Sequence, residues 1–352
     1  MAKKATQQRK KKKPTQRSLK PLLWGAGIAG LVILAGIVSA AYCLSSYNGE
    51  ERWLYIPAEA TEAAVADSIE STLGEGFGSR VTRLWEIQGG KASIAHGAYL
   101  IKPGSSALTV SRDIAKGRQT PVQITWSDAR TIGKIASRLS RNIEADSTAM
   151  ASAITNVLNA RGVAAAQHIG SLLPDTYEVY WSATPESIVE KLHDTYLAFW
   201  NEERTAKAKA LGLTPEGIAI VASIAEEETA DRAERGIVGR LYINRLNIGM
   251  PLQADPTVRY AIGDYTIKRV TVAHTRYQSP YNTYVKKGLP PGPIRNPSAA
   301  TLQEILDSKP NDYLYMCAKE DFSGRHNFSS DYATHLKNAK RYQEELNRRG
   351  IH

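Results

Sequence analysis

The segment Ile218-Ala219-Ile220-Val221-Ala222-Ser223-Ile224-Ala225-Glu226-Glu227-Glu228-Thr229-Ala230 constrains this chain more than any other. Its apolar part reads as a core helix, yet it ends in three consecutive carboxylates. An ionised carboxylate taken out of water must be paired or must take up a proton. A carboxyl that stays protonated near neutral pH is what a general acid needs to break a glycosidic bond. At about 100° per residue, Glu228 has Ala225, Ile224 and Val221 on its own flank, at i−3, i−4 and i−7. The same offsets give Glu226 Ser223, Ala222 and Ala219, and give Glu227 Ile224, Ser223 and Ile220. Glu228 therefore sits at the most apolar edge and is the candidate for an upward shift by desolvation. Glu227 is expected in solvent, and Glu226 against a basic partner such as Arg232 or Arg240. The alternative is that all three decorate a helix end near Arg232 and Arg235.

The rest of the chain must say where such an acid would work. With 352 residues, 42% hydrophobic and 23% charged, the chain is globular in composition and long enough for two domains. Its net charge of +10 is concentrated at one end, because residues 1–20 hold nine Lys or Arg and no acid. Without that run the remainder carries about +1, so a nucleic-acid-binding body is not indicated. Residues 21–44 contain no charge, and 24 such residues suffice to span a hydrocarbon core about 30 Å thick. Positives before the span, with Glu50 and Glu51 after it, predict a basic cytoplasmic tail (1–20), a transmembrane helix (21–44) and an exported body. A cleaved leader ending at Val38-Ser39-Ala40 is the rival reading. The long basic leader and long apolar stretch argue against it. Tyr42 before Cys43 is too large for a lipoprotein site. Cys43 and Cys317 are the two cysteines, so no disulfide framework or cysteine-based zinc site is expected.

The exported part reads as α+β. Residues 50–125 show short alternating pieces: a strand at 53–56, a helix over 60–73 ended by Gly74, a strand from His96, a helix over 108–116 and a strand at 122–126. Such a module either binds a ligand or spaces the body from the membrane. Helices follow over 127–141 with Ser127 as cap, over 149–158 and over 188–200. Thr214-Pro215-Glu216 carries the cap, first-turn proline and acid of a helix start. A second helix is expected over 235–246. Loops rich in special residues come next, at 253–257, 281–284 and 288–294, and a strand around 312–318. The chain has no His-Glu-x-x-His helix, Gly-x-Ser-x-Gly elbow or phosphate loop. His326 and His335 read as hydrogen-bonded loop or helix residues, not as metal ligands.

These residues resemble a known family. Ala222-Ser223-Ile224-Ala225-Glu226-Glu227-Glu228-Thr229-Ala230 is similar to the catalytic-helix motif of the MltG-type (YceG-like) endolytic murein transglycosylases. The resemblance continues in order through Tyr242 to Val258, Tyr281-Asn282-Thr283-Tyr284, Gly288 to Ile294, His326-Asn327-Phe328 and His335, with Pro174-Asp175-Thr176-Tyr177 and Gly97-Ala98-Tyr99 upstream. It implies a membrane-anchored lytic transglycosylase. Its parts would be a small LysM-like module at 50–125 and a mixed α/β catalytic domain at 126–350, built around the glutamate-bearing helix. The substrate would be peptidoglycan glycan strands, cut between N-acetylmuramic acid and N-acetylglucosamine, with peptidoglycan synthases as partners and no cofactor or metal. The family's catalytic acid precedes Thr or Ser, which falls on Glu228. Substrate contacts are expected from Glu226, Gln253, Asn282, Tyr284 and Asn327, of which Gln253, Asn282 and Tyr284 could instead brace a loop. Asp255, before Pro256, is expected as a turn former. Glu227 departs from the family pattern, which is usually basic there. A non-catalytic glycan-binding protein and a hydrolytic muramidase are the rival readings.

Overall fold

The computed structural model describes residues 20–350; all but Lys20 of the basic tail expected over 1–20 lies outside the described residues. The first element, α1 (Lys20–Cys43), continues the apolar sequence. Its large side chains from Ile28 to Val38 are 57–68% exposed, an apolar surface of the kind that calls for a cover. Its apolar stretch is Gly27–Cys43, and among the described residues no single helix is long and apolar enough to cross a membrane. The chain then divides into two compact units, between Gln119 and Thr120.

The first unit pairs β1 (Arg52–Ile56) antiparallel with β2 (Gly97–Ile101), and carries α2 (Glu62–Leu73), α3 (Glu75–Ile87), α4 (Ala92–Ala95) and α5 (Ala107–Ala115). Thr61 starts α2 by accepting a hydrogen bond from the Ala64 N–H at 3.2 Å. Gly74 ends α2 at φ 82°, and α3 begins at once. No element is expected over 75–87 from the sequence, where Gly76 and Gly78 interrupt the pattern just after Gly74. Its buried stripe of Phe77, Val81, Leu84 and Trp85 nevertheless has helical spacing. Gly78 is there for contact: a Cβ would stand 2.8 Å from the Glu70 Cα, so only glycine lets α2 and α3 cross this closely. Leu54, Ile56, Val65, Ile69 and Ile114 fill the core.

The second unit contains β3 (Val122–Thr125), α6 (Ile132–Leu139), α7 (Ser147–Ala160), β4 (Thr176–Val179), α8 (Pro185–Phe199), α9 (Glu202–Ala210), α10 (Pro215–Glu228), α11 (Arg232–Asn247), α12 (Asp255–Ile262), α13 (Val272–Thr275), α14 (Ala299–Leu306), β5 (Tyr315–Ala318), β6 (His326–Ser329) and α15 (Tyr332–Arg348). The strand expected to close the module at 125 pairs with β4, Thr125 opposite Thr176, so it belongs here. The helix expected from Ser127 starts only at Ile132, under a Thr131 cap. The preceding residues are held straight by Asn296, whose N–H donates to the Ala129 carbonyl at 3.0 Å and whose side-chain oxygen accepts from the Ala129 N–H.

α10 is the centre of this unit. Thr214 caps it through the Gly217 N–H at 3.2 Å, with Pro215 in the first turn as expected. Ile218, Val221, Ala222, Ile224 and Ala225 are 0% exposed, so the helix is buried on all sides. Such burial stabilises by roughly 1.5–3 kcal/mol per large aliphatic side chain. Three residues separate α10 from α11. Thr229 accepts from the Asp231 N–H at 3.1 Å, and Asp231 in turn caps α11 through the Ala233 N–H at 3.0 Å. That tight turn presents the last residue of α10 beside α11.

Candidate active site

The three carboxylates that close α10 go to different places. Glu226 is buried; its Oε1 accepts hydrogen bonds from Ser298 N–H (3.1 Å), Ser298 Oγ (2.6 Å) and Thr301 Oγ1 (2.6 Å). Arg295 Nε lies 3.3 Å from its other oxygen, and Arg235 Nη1 lies 3.6 Å from Oε1. Buried, with Oε1 taking three hydrogen bonds from the start of α14 and Oε2 beside Arg295, Glu226 sits as a strut and not as the sugar contact expected of it. Its cations are Arg235 and Arg295, not Arg232 or Arg240. Glu227 is not in solvent either. Arg130 grips it in a fork, Nε to Oε1 at 3.0 Å and Nη2 to Oε2 at 2.7 Å, and Arg295 adds a bond at 3.2 Å.

Glu228 has no cation in ion-pair contact among the described residues. Its Oε1 accepts from the buried Tyr242 hydroxyl at 2.8 Å. Burial pushes its carboxyl up to about 7; Asp255 raises it further, while the Tyr242 hydrogen bond, Arg259 and Arg245 pull it down. Its place at the negative end of the α10 dipole acts in the same upward direction. The residue remains part-exposed, so a substrate can reach it even though the surrounding protein desolvates it.

Tyr242 and Arg245 lie three residues apart on α11, so one face of that helix serves Glu228 twice. Arg245 donates to the Leu314 carbonyl through Nε (2.6 Å) and to the Leu252 carbonyl through Nη1 (2.6 Å), which ties two loops to this face. Its guanidinium stands 5.7 Å from the centre of the Tyr315 ring. Asp255, at the first position of α12, accepts from the Tyr284 hydroxyl at 2.7 Å, so it is more than a turn former. Both tyrosine hydroxyls are raised, mainly by burial. Gln253 is exposed and sits at φ 50°, a left-handed conformation unfavourable for a residue with a Cβ. Thr283 holds it there: the Thr283 carbonyl accepts from the Gln253 N–H at 3.3 Å, and its hydroxyl accepts from the Ala254 N–H at 2.9 Å.

Asn282 and Asn327 depart from expectation. Asn282 is fully buried and donates to the carbonyls of Thr275 (3.0 Å) and Tyr277 (2.7 Å), while its oxygen accepts from the Tyr284 N–H at 3.0 Å. It braces the loop that delivers Tyr284 and cannot reach a sugar. Asn327 donates to Glu320 at 2.9 Å on the β5–β6 hairpin. His326 is bound to Glu234 through both its N–H and Nδ1, each at 2.9 Å, and Thr229 Oγ1 lies 3.4 Å from the same carboxylate. The hairpin is thus strapped to the turn that follows Glu228. His335 stacks on Tyr315 at 5.4 Å, and burial lowers its pKa. No group of three or more His, Cys, Asp or Glu among the described residues could hold a metal.

The arrangement leaves one of the three carboxyls, Glu228, outside any ion pair among the described residues, held by a phenol, with the Asp255 of a tyrosine–aspartate pair near enough to raise it. A recess of about 60 Å³ lies at the same end of α10, lined by Arg130, Glu227, Arg259, Tyr260 and Tyr265. A larger concavity of about 500 Å³ lies elsewhere, over Arg232, Glu304 and Tyr313. The perturbed carboxyl, not the larger volume, marks the candidate site, because burial together with a strongly shifted acid is the pattern of functional groups.

Known proteins share this sequence and fold. The sequence model of the YceG-like family matches residues 54–341. An endolytic murein transglycosylase of Bacillus subtilis (strain 168) is 33% identical over 181 residues, 51% of this chain and 49% of that protein. One of Streptococcus pneumoniae is 30% identical over 186 residues, 51% of this chain and 33% of that protein. The aligned region is thus about half of the first relative's length and a third of the second's. The crystal structure of a YceG-like protein from Listeria monocytogenes has the same fold, with a TM-score of 0.53 at 22% identity, covering 82% of this chain and 98% of that one. With the family model matched from the first strand of the first unit into α15, this chain belongs to the YceG-like family.

Proposed function

We propose that this chain is an endolytic peptidoglycan lytic transglycosylase that uses Glu228 as its single acid and base. The observation that carries the reading is the Glu228 carboxyl, raised to about 7 while its two neighbours are locked in ion pairs. A protonated Glu228 gives its proton to the oxygen between N-acetylmuramic acid and N-acetylglucosamine, and the C1–oxygen bond breaks. The 2-acetamido group stabilises the positive centre on the muramyl C1. The muramyl 6-hydroxyl then closes on C1, and the Glu228 carboxylate takes its proton. Every atom is accounted for without water: one new end is a 1,6-anhydro sugar, the other a free hydroxyl, and the acid is restored. An ordinary glycosidase needs a second carboxylate as nucleophile or base. Here Glu226 and Glu227 are committed elsewhere, which favours the one-acid route. Tyr242 binds Oε1 and so leaves Oε2 for the substrate. Gln253 and Tyr284 are the candidate sugar contacts.

The names of the Bacillus and Streptococcus relatives support this activity. We further take α1 as a membrane anchor with the basic tail cytoplasmic and the body outside. The first unit is taken as a LysM-like glycan-binding module. Cleavage of nascent strands beside the synthases would terminate their elongation. Asp255, close enough to raise Glu228, favours a second reading in which it assists a water and the enzyme is a hydrolase. The test is digestion of purified sacculi by the full chain in detergent, with fragment masses measured. Anhydro ends are expected; reducing ends would install the hydrolase reading, and intact strands that remain bound would make the protein a binding module.

A further inference from the structure

α12 carries Asp255 and Arg259 four residues apart, hence one turn apart on the same face. Asp255 accepts the Tyr284 hydroxyl, and no ion pair joins it to Arg259. Among the described residues the Arg259 guanidinium makes no hydrogen bond or ion pair, and its Nε is fully buried without a partner. Leaving a partly desolvated guanidinium unpaired is costly. This one lines the small recess at the C-terminal end of α10. The carboxylate in that lining, Glu227, already receives both arms of Arg130 and one of Arg295. The recess therefore has a surplus positive charge and a free planar fork, the arrangement that binds a carboxylate through two hydrogen bonds. Its volume of about 60 Å³ has room for a carboxylate-sized group and excludes a sugar ring. Glu227 in that lining directly precedes Glu228 in the last turn of α10, so the recess lies at the same helix end as the candidate acid.

We propose that Arg259 forms a carboxylate-binding subsite beside Glu228 that selects glycan whose muramyl units carry an acid. The inference rests on the transglycosylase reading for its substrate. A muramyl unit differs from its partner sugar by an ether-linked lactyl group. That group is either a free carboxylate or is joined to a peptide with carboxylates of its own. Subsite occupancy would hold the muramyl ring in register with Glu228, and a polymer of N-acetylglucosamine alone would leave Arg259 unpaired.

Binding measured on the full chain carrying Glu228→Gln, so that nothing is cut, tests this with three ligands. These are an N-acetylglucosamine hexamer, glycan strands freed of peptide, and peptide-bearing strands. Adding Arg259→Gln should weaken binding of a carboxylate-bearing strand by about 10- to 100-fold and leave the hexamer unchanged. Loss confined to peptide-free strands names the lactyl acid as the ligand, and loss confined to peptide-bearing strands names the peptide. Unchanged affinity for all three, or equal loss for all three at an unaltered melting temperature, overturns the subsite. Should Arg259→Gln melt early, Arg259→Lys keeps the charge without the fork and is judged by the same two results. The unsubstituted chain is assayed for cleavage in parallel. Selective binding without cleavage would overturn the transglycosylase reading and leave the subsite standing.

Discussion

The last turn of α10 has two sides of opposite chemistry. On one, Glu226 and Glu227 meet three guanidinium groups, from Arg130, Arg235 and Arg295, together with the hydroxyls of Ser298 and Thr301. On the other, Glu228 meets one phenol and the apolar flank of its own helix. The side chains are identical and adjacent, and the helical rotation alone sends them into these settings. A paired carboxylate is held ionised and fixes the fold; an unpaired one held away from water keeps its proton and can give it away. Loss of structure and loss of chemistry should therefore separate cleanly between neighbours.

The largest expected effect breaks the comparison on the chemical side. Glu228→Gln keeps the shape and the Tyr242 partner but has no proton to transfer. Glycan cleavage by the purified chain should fall by about 10³-fold, while strand binding is retained. A variant with wild-type cleavage would refute the assignment. On the structural side, Glu226→Gln removes the buried carboxylate that Arg235 and Arg295 face. It should cost about 3 kcal/mol in a denaturant titration, with cleavage per folded molecule unchanged. If Glu226→Gln instead spared stability and abolished cleavage, the roles of the two residues would have to be exchanged.

A change of pH sharpens the same contrast. Glu228 holds its proton more tightly folded (about 7) than an ordinary glutamate does at 4.5. Across that window the folded state binds more protons than the unfolded one. The resulting stabilisation is whole below about pH 4.5 and is lost as pH rises through about 7. Cleavage should fall along the same alkaline limb. Because other titrating groups are common to both proteins, the stability of Glu228→Gln relative to the parent should rise by about 1–3 kcal/mol between pH 5 and pH 8. A flat difference would mean that Glu228 ionises like any surface glutamate.

Much of this was legible in the sequence, and the failures have physical causes. The helical offsets pointed to Glu228 as the carboxyl shifted upward, because that shift depends mainly on burial against its own helix. The same offsets could not find Arg130 and Arg295, which reach Glu227 from 97 and 68 residues away, so Glu227 read as solvated. Asn282 belongs to a tyrosine-rich loop that resembles a sugar-contact motif, but its amide is consumed by the loop's own carbonyls. α3 was obscured by glycines, of which Gly78 is there for close packing on α2. Helix starts were read well where the cap is local, as at Thr214, and badly at Ser127, where Asn296 extends the backbone from far along the chain. Tyr242 and Arg245 carried a usable signal: two polar-tipped residues three apart, in line with the buried Val238 and Leu241.

Tyr242→Phe gives the smallest expected effect and the most specific one. The hydroxyl donates to Glu228 Oε1 at 2.8 Å and so favours the ionised acid. Removing it deletes that preference and leaves the desolvation intact, so the Glu228 pKa must rise. The alkaline limb of cleavage should then move to higher pH, while the loss of orientation lowers the rate at pH 6 by about tenfold. Stability should fall by about 1 kcal/mol, the net worth of one hydrogen bond. The direction of the limb carries the information. A tyrosine that merely packed would leave it in place, and one that donated the catalytic proton itself would, once removed, abolish cleavage at every pH. Only a phenol that steadies the carboxylate between its two proton transfers moves the limb upward and slows the enzyme modestly.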